Sequence, residues 1–131
     1  MADIRWKQRF DNFEKSFLQL EKAVKQKKYS ELEMAGIIQT YNFTFELAWR
    51  VLQDLLKFNG FNDLVSPKKV LQQAFNSEYI IDGEGWIEML DKRNEMAHTY
   101  SSIETEHVIE NIKDKYFNLI KALYCKLKQE I

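Results

Sequence analysis

The chain has 131 residues, of which 45% are hydrophobic and 14% aromatic, so it is long enough to form one domain with a substantial core. Nineteen basic residues nearly balance twenty acidic residues, and the formal charge of −1 excludes a protein that binds nucleic acid through bulk positive charge. The single cysteine, Cys125, excludes an intramolecular disulfide bond and a multi-cysteine zinc site. With only two histidines, we expect no metal ion and no cofactor.

The sequence has no recognisable secretion signal or membrane-spanning segment. Its first ten residues, MADIRWKQRF, carry charges throughout, and no run of 18 apolar residues occurs anywhere. We therefore expect a soluble cytoplasmic protein that forms one domain over residues 1–131.

Hydrophobic residues recur at helical spacing in the first half of the chain. The first predicted helix carries an apolar stripe at steps of three and four residues, formed by Trp6, Phe10, Phe13, Phe17, Leu20 and Val24. A second helix is predicted over residues 31–58, where apolar residues on more than one side indicate deep burial. Gly60 follows this helix at a position suited to a left-handed cap.

The second half of the chain contains three further predicted helices. A short third helix should begin with Ser66 as its N-cap and Pro67 at its first position. Gly83 and Gly85 indicate a loop, after which a fourth helix is predicted from about Gly85 to Ala97.

A last helix should begin at a capping box formed by Ser101 and Glu104 and should run to about Lys128. Its buried side is predicted to consist of Val108, Ile112, Phe117, Ile120, Leu123 and Leu127. The only proline is Pro67, there are four glycines, and no pattern indicates a strand. The sequence therefore predicts an all-α protein, an antiparallel four-helix up-and-down bundle with an additional short helix.

The segment DKRNEMAHTY, residues 91–100, places an arginine among apolar residues. Residues 86, 90, 93, 97 and 100 are spaced as one helix face, and Arg93 is the cation in that series. Such a cation needs a partner, a cleft or an interface. Because one small bundle does not readily enclose a polar cleft, we predict a homodimer.

A histidine and a tyrosine follow Arg93. Asn94 and His98 are four residues apart and can form a hydrogen bond that selects one ring nitrogen of the histidine. Arg93 and His98 are five apart, about 140° on a continuing helix, so they converge only if the helix ends near His98 or if a second copy contributes its own pair. An arginine suits phosphate binding, and a histidine can take a proton from a ribose 2′-hydroxyl.

A purely structural interpretation of these residues remains open. Arg93 can simply pair with a carboxylate such as Asp91 or Glu46, and His98 can cap a helix end. Glu46 itself is four residues before Arg50, which is typical of a solvent-facing ion pair, but it can also reach Arg93 and orient it. Trp49 and Trp86 are predicted to lie in the core, and His107 on the surface.

Three segments together resemble HEPN-domain proteins, in particular the HepT branch, which is also called nucleotidyltransferase substrate-binding proteins. The segment RNEMAHTY reads R-N-x-x-x-H-x-Y and is similar to the family motif of an arginine followed by a histidine. The segments YNFTFELAWRVLQDLL and SPKKVLQQAF complete the similarity, which covers essentially the whole chain.

This resemblance implies an all-helical homodimer in which two such motifs face each other. It also implies a metal-independent RNase toxin whose partner is an MNT-type nucleotidyltransferase antitoxin that adds AMP to the motif tyrosine. Carried onto this sequence, Arg93 binds the phosphate, His98 transfers the proton and Tyr100 accepts AMP. Two other hypotheses stay open, a non-catalytic substrate-binding subunit of a two-component nucleotidyltransferase and a purely structural bundle.

Overall fold

The computed structural model describes residues 2–95 and 102–131, and all regular structure within these ranges is helical. The elements in chain order are α1 (Ala2–Val24), α2 (Glu31–Phe58), α3 (Pro67–Asn76), α4 (Gly83–Glu95), α5 (Ser102–Asn111), a π-helical turn (Ile112–Tyr116) and α6 (Phe117–Lys128). Because α5, the π turn and α6 follow one another without a break, they act as one long element. The predicted all-α bundle with an additional short helix is confirmed.

The two longest helices, α1 and α2, pack side by side in opposite directions. The Arg9 guanidinium donates to Asp54 at 2.6 Å near one end of the pair, and the hydroxyls of Ser16 and Thr44 share a buried hydrogen bond farther along. Asp54 is only 8% exposed, so its charge depends on Arg9 for compensation. Within the described residues, no helix combines the length and apolarity needed to cross a bilayer.

An aromatic cluster joins α1 to α6. Phe17 stacks on Tyr124 with 4.3 Å between ring centroids and on Phe117 with 5.5 Å, and Phe10 stacks on Tyr124 at 5.8 Å. The Tyr124 hydroxyl donates to the Glu14 carboxylate at 2.6 Å, which satisfies the polar end of an otherwise apolar contact. The aromatic stripe of the first predicted helix is therefore core.

Side chains and backbone geometry fix both ends of α2. The Ser30 hydroxyl accepts from the Glu33 backbone N–H at 3.1 Å, and the Glu33 carboxylate accepts from the Ser30 N–H at 2.9 Å, which completes a capping box. At the other end Gly60 has φ 103°, in the left-handed region, as predicted. The observed bounds of α2 agree with the predicted span 31–58.

The start of α4 differs from the prediction by two residues. The Asp82 carboxylate accepts from the Gly85 N–H at 2.9 Å, and the Asp82 carbonyl accepts from the Trp86 N–H at 3.0 Å. These bonds cap the first turn, so Gly83 and Gly85 lie inside the helix and not in the loop. The predicted end of this helix at Ala97 lies outside the described residues, as does the capping residue Ser101.

The last helix is not continuous α-helix as predicted, because the π turn interrupts it. A π turn accommodates one extra residue, and Tyr116 at its end and Phe117 directly after it are both buried. The predicted stripe already stepped by five from Ile112 to Phe117, which is the spacing of a π turn. Ile109, which the stripe omitted, is buried on the α5 side.

Two glycine-to-alanine substitutions are expected to have opposite effects on stability. A Cβ atom added at Gly85 would lie 2.5 Å from Asp82 Oδ2 and 2.7 Å from Leu119 Cδ1. Gly85→Ala must therefore displace the carboxylate that caps α4. We expect a loss of about 1 kcal/mol, the usual contribution of an N-cap. At Gly36 no atom lies within 4 Å of the added Cβ, so Gly36→Ala should stabilise by up to about 1 kcal/mol. Urea unfolding measures the change in unfolding free energy for both variants. Equal changes in the two variants would contradict the prediction of opposite effects.

Candidate functional site

Helices α2 and α4 bring Glu46 and Arg93 together. Arg93 Nη2 donates to Glu46 Oε2 at 2.6 Å, and the two side chains are 34% (Arg93) and 26% (Glu46) exposed. The sequence analysis named Asp91 and Glu46 as candidate partners of Arg93, and in the structure Arg93 pairs with Glu46. The close, partly buried contact is a charge-assisted hydrogen bond that anchors one end of the guanidinium group.

The same carboxylate holds two other side chains of α2. Glu46 Oε1 accepts from Arg50 Nε at 3.1 Å, and Glu46 Oε2 accepts from Trp49 Nε1 at 3.0 Å. The Arg50 guanidinium lies 4.7 Å from the centroid of the Trp49 ring, a cation–π contact. Both contacts that the sequence suggested for Glu46, to Arg50 and to Arg93, are therefore present in one cluster.

The hydrogen bonds and charges of this cluster lower the pKa of Glu46. Partial burial alone would raise the pKa of Glu46, but hydrogen bonds from Trp49 and Arg50 and the charge of Arg93 outweigh it, and the pKa lies below the ordinary value of 4.5. Glu46 is therefore ionised at neutral pH. One carboxylate against two guanidinium groups leaves the cluster with a net positive charge.

The Glu46→Gln variant should lose stability in a pH-dependent way. Because the folded-state pKa of Glu46 is lowered, its ionised form contributes stability above about pH 4.5, and this contribution disappears as the pH falls through the folded-state pKa. At pH 7 we expect a loss of about 1 kcal/mol, a modest value because the side chains are partly exposed. Thermal unfolding at pH 7 and pH 3 tests this.

The control is Glu106→Gln, which removes an exposed carboxylate of α5 that has no hydrogen bond to another described residue. The stability difference between wild type and Glu46→Gln should shrink from pH 7 to pH 3, while Glu106→Gln should show little difference at either pH. A Glu46→Gln deficit that is as large at pH 3 as at pH 7 would contradict the electrostatic explanation.

Asn94 extends the cluster at the surface. Arg93 Nη1 donates weakly to Asn94 Oδ1 at 3.3 Å, and Asn94 lies at the solvent-facing edge of the cluster. The two other motif residues, His98 and Tyr100, lie outside the described residues. The expected hydrogen bond between Asn94 and His98 and the convergence of Arg93 with His98 therefore stay predictions.

The described part of α4 explains why an arginine follows the apolar series. Trp86, Met89 and Leu90 are buried, whereas Arg93 is at the edge of the core and directs its charge to Glu46. The prediction that Trp49 and Trp86 belong to the core is confirmed at 6% and 1% exposure. Sequence reasoning missed that the buried Trp49 also donates to the site through its indole N–H.

Two further residues that the sequence singled out stay outside this cluster. The His107 side chain is 71% exposed, and Cys125 is an exposed free thiol on α6. Within residues 2–95 and 102–131, no three histidine, cysteine or acidic side chains are grouped so that they could hold a metal ion. The described cluster consists of one carboxylate that two guanidinium groups and one indole N–H contact.

The fold is that of a small helical bundle in which a cluster of arginine and glutamate side chains joins α2 to α4. The family model described as "Nucleotidyltransferase substrate binding protein like" matches residues 8–129, and the chain belongs to this family, as the sequence resemblance predicted. A crystal structure of a protein from Thermus thermophilus has a similar fold, with a TM-score of 0.80 and 25% identity. The similarity covers 88% of this chain and 98% of that chain. No curated protein matches the sequence.

Proposed function

We propose that this chain is the RNase toxin of a toxin–antitoxin pair and that an MNT-type nucleotidyltransferase silences it by adding AMP to Tyr100. The observation that carries the proposal is Arg93, a motif arginine that Glu46 holds at 2.6 Å and whose side chain is 34% exposed. A guanidinium that is already oriented binds a phosphodiester with little further loss of side-chain entropy. His98 then takes the proton of the ribose 2′-hydroxyl, a step that requires no metal ion.

The surface around the cluster supports a homodimer. Phe43 is 60% exposed on α2, three residues before Glu46 and four before the partly buried Leu47, so these side chains share one helix face. In the proposed dimer the second copy would cover this exposed ring. A second copy on this face would bring two motifs together, and Phe43→Asp should then produce monomers in sedimentation experiments.

The test of the proposal is a cleavage assay with purified protein. The wild type should cleave single-stranded RNA in the presence of EDTA. Protein that has first been incubated with an MNT-type nucleotidyltransferase, ATP and Mg²⁺ should no longer cleave RNA in the same assay. Absence of cleavage by a dimeric, folded protein, whether or not a partner is present, would contradict the RNase proposal.

Tyr100 should be the site at which the partner acts. Co-expression with an active MNT-type nucleotidyltransferase should increase the mass of the chain in units of AMP, and peptide spectra should locate the addition at Tyr100. An AMP group there brings a phosphate that competes for the Arg93 guanidinium and a purine that fills the site. Tyr100→Phe should escape both modification and silencing, whereas modification at another tyrosine, such as the half-buried Tyr29, would contradict the assignment.

The family description favours a second candidate function, a non-catalytic subunit that binds the substrate of a nucleotidyltransferase. In that case the guanidinium cluster would hold a phosphate-bearing substrate for a partner enzyme. The two functions give different results in one experiment. Tight binding to the nucleotidyltransferase without cleavage of any RNA favours the second candidate.

A further inference from the structure

We propose that Arg50 joins Arg93 in a two-guanidinium site for the backbone of single-stranded RNA, in which Arg50 holds the phosphate next to the one that is cleaved. The inference rests on the proposed RNase function and extends it, because neither the motif nor the family description assigns a role to Arg50. Its basis is the geometry of the Glu46 cluster.

Arg50 is held in place yet has free donors. Its Nε binds Glu46 at 3.1 Å, and its guanidinium carbon lies 4.7 Å from the Trp49 ring centroid. Nη1 and Nη2 of Arg50 donate to no other described residue, and the side chain is 43% exposed. A guanidinium group that is held through Nε and keeps Nη1 and Nη2 available can donate two hydrogen bonds to phosphate oxygens.

One carboxylate aligns both arginines. Arg50 and Arg93 bind the two different oxygens of Glu46, so both guanidinium groups lie within hydrogen-bond distance of the same carboxylate. Because two positive charges share a single negative one, further negative charge beside them is favoured electrostatically. Two successive phosphates of an RNA strand supply this charge, one at each guanidinium group, and their recognition requires no base pairing.

An acidic groove on the other side of α4 limits the direction in which the strand can run. This groove, of about 980 Å³, lies between α3 and α4 and is lined by four carboxylates, Asp82, Glu84, Glu88 and Asp91, of which Glu88 is paired with Lys115 at 2.9 Å. Asp91 and Arg93 are two residues apart on α4 and therefore lie on nearly opposite sides of it. The other carboxylates of this groove disfavour a phosphate backbone, which favours a strand path from Arg93 toward α2 and Arg50.

Binding of a 2′-O-methyl RNA dodecamer, measured by fluorescence anisotropy, tests the inference without cleavage, because the ribose 2′-oxygen is blocked. Arg50→Ala should weaken binding about tenfold and should lower the slope of log K against log salt by about 0.7, the value for one lost phosphate on a single strand. The RNA affinity of Arg50→Lys should lie between those of wild type and Arg50→Ala, since lysine keeps the positive charge but lacks the planar pair of donors of the guanidinium group. The control Lys57→Ala removes an exposed cation from the same helix and should change neither quantity.

A double-mutant comparison separates direct binding from an effect through Glu46. If Arg50 contacts RNA, Arg50→Ala should still weaken binding in the Glu46→Gln background. If the effect disappears in that background, Arg50 only positions Glu46, and the inference is wrong. Melting curves and sedimentation at the same concentration check that each variant is folded and dimeric, and conversion of Arg50→Ala to a monomer would make Arg50 an interface residue instead.

The remaining outcomes are also decisive. Wild-type binding that Arg93→Ala weakens and Arg50→Ala leaves unchanged overturns the inference alone. A folded wild-type protein that does not bind the dodecamer at all overturns the RNase proposal and this inference with it.

Discussion

The His98→Ala variant is expected to lose RNA cleavage almost completely while keeping its fold. Removal of a general acid–base group usually costs about 10²- to 10⁴-fold in rate, which would place cleavage near the background of the assay. His98 is polar and does not belong to the apolar stripes that form the described core, so we expect its loss to change stability by less than about 1 kcal/mol. Cleavage rates and urea unfolding of the same preparation give both quantities.

The matched control is His107→Ala, which removes the other histidine of the chain. His107 is exposed on α5 and, among the described residues, has a long contact of 3.8 Å to Glu110, so its removal should leave cleavage and stability unchanged. Equal cleavage by wild type and His98→Ala would show that the catalytic assignment is wrong. Loss of cleavage in both variants would indicate that the assay follows a contaminating nuclease.

The Phe17→Ala variant should be strongly destabilised, more than any of the surface or cluster variants described above. Phe17 is 2% exposed and stacks on Tyr124 and Phe117, so its truncation leaves a cavity where α1 meets α6. Phe→Ala substitutions in packed cores cost about 3–5 kcal/mol, which is a large fraction of the stability of a domain this size. Urea unfolding measures the loss directly.

Phe58→Ala is the control for this prediction, because Phe58 has the same side chain but is 48% exposed at the end of α2. It should cost less than about 1 kcal/mol. A Phe17→Ala loss no larger than that of Phe58→Ala would mean that the α1–α6 contact does not hold the bundle together.

Local sequence signals predicted most of the fold. The stripes at steps of three and four indicated the helices, and Ser66, Pro67 and Gly60 marked ends that the structure confirms. Other local signals were present but were not recognised. Ser30 and Glu33 have the spacing of a capping box, and the step of five from Ile112 to Phe117 is the spacing of a π turn.

The candidate site was only partly predictable, because its central contact joins residues that are far apart in sequence. Spacing alone placed Arg50 beside Glu46, since both lie on one helix, and the pairing of Arg93 with Glu46 was one of two options. The choice between Glu46 and Asp91 depends on how α4 packs against α2, which no local pattern specifies. The role of Trp49 could not be predicted for the same reason. The sequence pattern of a tryptophan that only fills the core is the same as that of a core tryptophan whose indole N–H also donates to the site.

The Glu46 carboxylate links the stability of the bundle to the proposed binding of RNA. Glu46 orients Arg93, holds Arg50 and accepts from Trp49, so its loss should affect stability and RNA binding together. The effect of Glu46→Gln on stability should fade at low pH, whereas Arg50→Ala should act mainly on RNA binding. These two variants therefore separate the structural part of the cluster from its binding part.

The most direct test of the central claim is the chemical nature of the RNA ends produced by the wild-type protein in EDTA. If His98 takes the proton of the 2′-hydroxyl beside a phosphate bound at Arg93, the upstream fragment should end in a 2′,3′-cyclic phosphate and the downstream fragment should begin with a 5′-hydroxyl. A substrate with a single 2′-deoxy sugar at the cleaved position should resist cleavage there. Fragments with a 5′-phosphate, or equal cleavage at the 2′-deoxy position, would contradict the account.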